Sequence, residues 1–246
     1  MLQKLFCALL ASSLLMALGC AGTNDVAPSN TGQGGSMARF AVVGEHLYTV
    51  DEQSLRVFDV SDVNQPRFET MTQVGTDIET IFPRRETLFI GSRTGMHIWD
   101  VSTPNAPSRL STYEHVFSCD PVVADERYAY VTLNADQVAC GRGLNQLEVI
   151  DVEDLTRPQL VQLYPMTAPK GLGIADSLLF VCDEGVKVYD ARDVRDLRLL
   201  HHFRIEAHDL IPHDGTLMVI GSDGLYQYRY ENGELQLLSK LDIIPS

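Results

Sequence analysis

Leu55-Arg56-Val57-Phe58-Asp59-Val60 decides the fold, because the stretch returns along the chain. Its counterparts are Met96-His97-Ile98-Trp99-Asp100-Val101, Leu147-Glu148-Val149-Ile150-Asp151-Val152 and Val186-Lys187-Val188-Tyr189-Asp190-Ala191. A fifth copy, Leu225-Tyr226-Gln227-Tyr228-Arg229-Tyr230, has arginine where the others have aspartate. Positions 59, 100, 151, 190 and 229 lie 41, 51, 39 and 39 residues apart, a repeat of about 40 residues.

Each unit has a second run rich in β-branched and aromatic residues just upstream: Leu47-Tyr48-Thr49-Val50, Leu88-Phe89-Ile90-Gly91, Ala129-Tyr130-Val131-Thr132, Leu179-Phe180-Val181-Cys182 and Leu217-Met218-Val219-Ile220. Pro66, Pro107 and Pro158 stand seven residues after the aspartate, with Leu197 in the fourth unit, and another apolar run follows. Proline there ends one strand and opens the next. Four short strands per repeat, with no long helical period, predict an all-β fold, a five-bladed β-propeller of four-stranded units. The blades are expected at about 38–75, 76–118, 119–167, 168–205 and 206–246. The middle strands are apolar on both faces, as a sheet sandwiched between neighbours requires.

The run Leu47-Tyr48-Thr49-Val50, then Leu55-Arg56-Val57-Phe58-Asp59-Val60-Ser61, then Asn64-Gln65-Pro66 resembles the LVIVD repeat of bacterial propeller-like proteins. The resemblance covers residues 38 to about 245 and implies a fold rather than an activity. Trp99-Asp100 is the dipeptide of WD repeats, but the other WD landmarks are missing. Because the repeats begin on a first strand and end on a fourth, no strand exchange is expected to lock the ring. Closure then falls to packing or to pairing with a second copy.

Upstream of the repeats, Lys4 is followed by an apolar run from Leu5 to Leu18 and then Gly19-Cys20-Ala21, the order of an export signal. The apolar run falls short of the roughly 20 residues that span a bilayer. Ala17-Leu18-Gly19-Cys20 resembles the lipobox of bacterial lipoproteins, which implies a signal peptide at 1–19 and lipidation of Cys20. Ala21 is similar to the residue of lipoproteins sorted to the outer membrane. Residues 20–37, with four glycines and almost nothing to bury, read as a tether of roughly 20 to 25 Å ahead of the propeller at 38–246. Removing residues 1–19 takes away one lysine and no acid, moving the formal charge from -14 to -15. Such acidity opposes nucleic-acid binding.

Asp59, Asp100, Asp151 and Asp190 sit where a carboxylate accepts hydrogen bonds from the next turn's amides, a structural task. Cys119 opens the first strand of blade three and Cys140 lies in the loop between that blade's second and third strands. The two are expected on one face, joined as a disulfide in an oxidising compartment. Cys182 reads as a buried thiol. No Cys-x-x-Cys spacing supports a metal site, and none is expected. The same loop, Asn134 to Asn145, carries about ten extra residues, Arg142 among them, and loops carry function more often than the scaffold beneath.

Asp77 and Glu79, Asp120, Lys170, and His208 with Asp209 fall at the starts of the innermost strands, around one mouth of the central channel. They are candidate ligand residues, together with Arg142, or else a self-neutralising polar plug. The chain contains no nucleophile elbow, zinc-protease motif, phosphate loop, calcium loop or dinucleotide fingerprint, and no cofactor is implied. The function expected is a non-catalytic, lipid-tethered propeller in the bacterial envelope that presents a loop-rich face to a protein or carbohydrate. The alternative is a small-molecule hydrolase or lyase using His208 with Asp120 or Asp209.

Overall fold

The computed structural model describes residues 34–115, 121–135 and 144–243. Among them there is no helix, only twenty strands in five antiparallel sheets of four consecutive strands each, a five-bladed β-propeller. Blade 1 is β1 (Phe40–Val43), β2 (His46–Val50), β3 (Ser54–Asp59) and β4 (Arg67–Gln73). Blade 2 is β5 (Ile78–Arg84), β6 (Thr87–Ser92), β7 (Gly95–Asp100) and β8 (Ser108–Glu114). Blade 3 is β9 (Val122–Ala124), β10 (Tyr128–Leu133), β11 (Gln146–Asp151) and β12 (Gln159–Pro165). Blade 4 is β13 (Pro169–Ala175), β14 (Leu178–Asp183), β15 (Val186–Asp190) and β16 (Arg198–Phe203). Blade 5 is β17 (Asp209–His213), β18 (Thr216–Ile220), β19 (Gly224–Glu231) and β20 (Glu234–Asp242). Among the described residues no strand is exchanged between the first and last blades.

The repeated aspartates do what their position dictates. Asp59, Asp100, Asp151 and Asp190 accept the backbone N–H two residues on, from Ser61, Ser102, Glu153 and Arg192, at 2.8 to 3.1 Å. The following turn places Pro66, Pro107 and Pro158 directly before β4, β8 and β12, where a missing N–H breaks no ladder bond. Each repeat also carries a register shift between its third and outermost strands, at Val57/Phe58, Ile98/Trp99, Val149/Ile150, Val188/Tyr189 and Gln227/Tyr228. A bulge at one fixed position gives every blade the same added twist. In blade 5, Asn232 and Gly233 both take positive φ (52° and 82°), the tight hairpin that replaces the aspartate–proline turn.

The core is not one mass but four clusters, each shared by two consecutive blades. Tyr48, Leu55 and Val57 meet Ile81, Leu88 and Ile90 between blades 1 and 2. Phe89 and Ile98 meet Val131 and Ile150 between blades 2 and 3, and Tyr130 and Val149 meet Leu172 and Leu179 between blades 3 and 4. Phe180 and Val188 meet Leu210 and Val219 between blades 4 and 5. Cys182 lies in this last cluster as a free, buried thiol, and burial pushes its pKa up. Among the described residues no such cluster joins blade 5 to blade 1.

The channel mouth as candidate functional site

The ring is tied at the junction of blades 5 and 1 by polar bonds from the segment that enters β1. Ser36, 1% exposed, donates its Oγ–H to Asp209 Oδ1 at 2.8 Å and accepts the Leu172 N–H at 2.9 Å. Met37 N–H reaches Asp209 Oδ2 at 3.3 Å, and Ala38 C=O accepts the Ile81 N–H at 2.9 Å. Residues 36–38 thus bond to blades 2, 4 and 5 before the first strand begins. Glycine is required beside this knot, since a Cβ on Gly35 or on Gly171 would collide with the Asp209 carboxylate. Burial raises the Asp209 pKa, and the bonds from Ser36 and Met37 oppose that rise. The propeller body therefore takes in residues from Gly34 onwards, which the strand pattern alone assigns to the tether.

The strand-start residues fall into two groups. At blade 2, Glu79 Oε1 accepts Arg93 Nε–H at 2.9 Å and Asp77 lies 3.7 Å from the same guanidinium. Arg39 caps the Ile78 and Glu79 carbonyls at 2.9 and 3.1 Å. At blades 4 and 5, Lys170 Nζ lies 3.0 Å from His208 Nδ1. The other nitrogen, Nε2, faces Glu206 at 3.7 Å. A cavity of about 350 Å³ opens beside Lys170, with Glu184, Arg204 and Glu206 on its wall. No hydrogen bond or ion pair joins the Asp77–Glu79 group to the Lys170–His208 group among the described residues. Asp209 is turned to Ser36 and Met37 rather than to His208.

Asp120, Arg142, Cys119, Cys140 and Cys20 lie outside the described residues. The inserted loop is nevertheless anchored at both feet. Asn145 Oδ1 accepts the Ala135 N–H at 2.8 Å, Asn145 Nδ2 donates to Thr167 C=O at 2.5 Å, and Asn134 donates to Pro169 C=O at 2.6 Å. The three bonds fasten the loop base to its own blade and to blade 4.

A column of polar residues that the sequence reading did not single out occupies the second position of the repeated motif: Arg56, His97, Glu148 and Lys187, with Tyr226 in the fifth copy. Each finds a partner nearby. Arg56 pairs with Asp51 at 2.5 Å, His97 Nδ1 meets Thr112 Oγ1 at 3.0 Å, and the Tyr226 hydroxyl donates to Asp223 Oδ1 at 2.7 Å. Glu148, 4% exposed, accepts from Gln146 at 2.8 Å and from the Tyr113 hydroxyl at 3.0 Å. Lys187 pairs with fully buried Asp183 at 2.6 Å. Burial pushes the Asp183 pKa up, but Lys187 and the Ala168 and Thr167 amides hold it below the usual range. Recurrence at one register position of an otherwise apolar strand was the legible signal.

Residues 34–71 match the model of the LVIVD repeat, so the chain carries that repeat in its first blade. No curated protein matches the sequence. Among solved structures, the periplasmic gluconolactonase PpgL of Pseudomonas aeruginosa is similar in fold, with 14% identity and a TM-score of 0.62 over 81% of this chain and 68% of that one. A functionally unknown protein of Desulfotomaculum acetoxidans is similar over 87% of this chain and 70% of its own, at 10% identity and a TM-score of 0.63. Apo AztD of Citrobacter koseri is similar over 85% of this chain and 61% of its own, at 11% identity and a TM-score of 0.58. These likenesses concern the propeller fold alone.

Proposed function

We propose that the protein is an exported lipoprotein, anchored through Cys20, whose propeller binds a protein or carbohydrate partner in the bacterial envelope. The observation that carries the binding reading is how the charged groups at the channel mouth are spent. Glu79 and Asp77 are clamped to Arg93, and Asp209 is committed to Ser36 and Met37. A general base needs a proton acceptor within hydrogen-bond reach of a reacting group. Here Asp77, Glu79 and Asp209 serve as struts, and what the face offers is a rim of mixed charge beside a loop pinned at both feet. The likeness to a periplasmic gluconolactonase supports an extracytoplasmic setting, as does the Leu5–Leu18 run ahead of Cys20.

One observation favours the second reading, a hydrolase or lyase. Lys170 and His208 share a 3.0 Å contact beside the 350 Å³ cavity. The readings separate by crosslinking in intact cells followed by recovery of the tagged protein. The binding reading expects a reproducible envelope partner that disappears when residues 135 to 144 are deleted. A partner yield unchanged by that deletion removes it.

A further inference from the structure

Blades 1 and 5 each present to the other a face built like those buried in the four clusters. On blade 1, Val42 pairs with Leu47, Leu47 with Phe58 and Phe58 with Phe68, so these four share one face across the whole sheet. On blade 5, Ile211 pairs with Met218, Ile220 with Leu225 and Leu225 with Leu241. None of these residues is buried, and Phe40 (61%), Phe68 (58%) and Leu241 (67%) are well exposed. Opposed apolar faces of this extent are rare on a protein surface without an occupant. Between them lies a cavity of about 550 Å³, lined mainly by apolar groups of Met37, Phe40, Val42, Ile211 and Ile220. That volume is in the usual range for small ligands, roughly 300 to 1,000 Å³.

The lining narrows the choice of occupant. Two polar side chains reach the cavity wall, Asp209, occupied by Ser36 and Met37, and His208, whose Nδ1 faces Lys170, so a peptide entering the slot would leave most of its backbone amides unpaired at a cost. A blade of a second copy needs the roughly 10 Å spacing of packed sheets on each side, whereas the segment entering β1 is bonded directly to Asp209 at the start of β17. An unbranched hydrocarbon meets both conditions. Its source is close: Gly34 and Gly35 line the cavity, and Cys20 lies only 14 residues before Gly34. Those residues reach at most about 50 Å, which holds a group on Cys20 at an effective concentration in the millimolar range.

We propose that the seam between blades 1 and 5 is a slot for a long-chain acyl group, filled by the lipid on Cys20 of the same chain when no membrane is present. The inference rests on the lipoprotein reading of Cys20. It gives the anchor a shelter in transit, one that a bilayer competes away.

The test compares lipidated wild-type protein, purified from a bacterial envelope and exchanged out of detergent, with the mature Cys20→Ser chain. Titration calorimetry with saturated fatty acids up to palmitate is expected to show one site on Cys20→Ser. Affinity should rise roughly fourfold per methylene, the transfer free energy of one CH2, until the slot is full. Val42→Asp and Ile220→Trp should each weaken palmitate by about tenfold or more while the unfolding midpoint of Ile220→Trp stays unchanged. Lipidated wild type should take up palmitate at least about tenfold more weakly, because its own acyl chain competes. Absence of palmitate binding by Cys20→Ser overturns the slot, as does a dimer in light scattering that Val42→Asp dissociates. Equal uptake by the two proteins overturns the intramolecular source. An intact mass without acyl groups on Cys20 overturns the lipoprotein reading and that source together, and is told apart from failure of the slot by the Cys20→Ser titration.

Discussion

Four junctions of the ring are sealed by hydrocarbon and the fifth is sewn by hydrogen bonds. Between blades 3 and 4, Tyr130, Leu147, Val149, Leu172, Leu179 and Val181 are all at most 1% exposed. Between blades 5 and 1 apolar residues also stand opposed, yet they stay open, and the buried contact is Ser36 with Asp209. Hydrophobic composition therefore does not by itself say which faces of a repeat meet. Where the two ends of the array come together, closure depends on a few polar atoms with exact geometry.

The contrast can be broken most forcefully in a sealed junction. Leu179→Ala is expected to cost about 2 to 5 kcal/mol, whereas Val42→Ala on the open seam should cost under about 1 kcal/mol. Urea denaturation of both variants checks the difference, and equal costs would mean that the seam is as well packed as the rest.

A sealed junction should also reveal itself through pH. His97 is 9% exposed, and burial, reinforced by the Arg109 charge, lowers its pKa from 6.5 to about 4. The folded state therefore resists protonation that the unfolded chain accepts below about 6.5. Stability attached to this residue is complete above about pH 6.5 and is lost progressively as pH falls towards 4, on the order of 2 to 3 kcal/mol in all. His97→Gln should flatten that part of the stability–pH curve. A curve of unchanged slope would show that His97 is solvated.

The strap gives the third effect. Ser36→Ala removes a hydroxyl from two buried partners, the Asp209 carboxylate and the Leu172 N–H, and should cost about 1 to 3 kcal/mol. Hydrogen exchange is expected to accelerate in β1 and β17 and to stay unchanged in β9 to β12. Uniform acceleration would show that the seam and the sealed junctions open as one unit.

The blades themselves were legible because their cues are local. Alternation with a period of two, the aspartate that collects the next turn's amides and the proline seven residues on each act within a few residues. The same cues put Lys170 and His208 among the strand starts at the mouth, but their 3.0 Å contact, in place of a pairing of His208 with Asp209, comes from the structure. Ser36 was not legible. It stands in a glycine-rich stretch with no strand pattern, and its partner Asp209 is 173 residues away. Nor did Asp77 and Glu79 announce Arg93 as the group that neutralises them, because their pairing depends on side-chain directions across a bulged edge.

Repeat, strand count and propeller architecture were determined by the sequence alone, because each is set by side-chain alternation and turn chemistry summed over neighbouring residues. The tertiary structure decided which of ten blade faces go uncovered, that Gly34–Ala38 belongs to the ring, and where polar groups are consumed as struts. Those outcomes depend on how the curvature of four packed junctions brings the first and last blades together, a long-range geometry that no local pattern encodes.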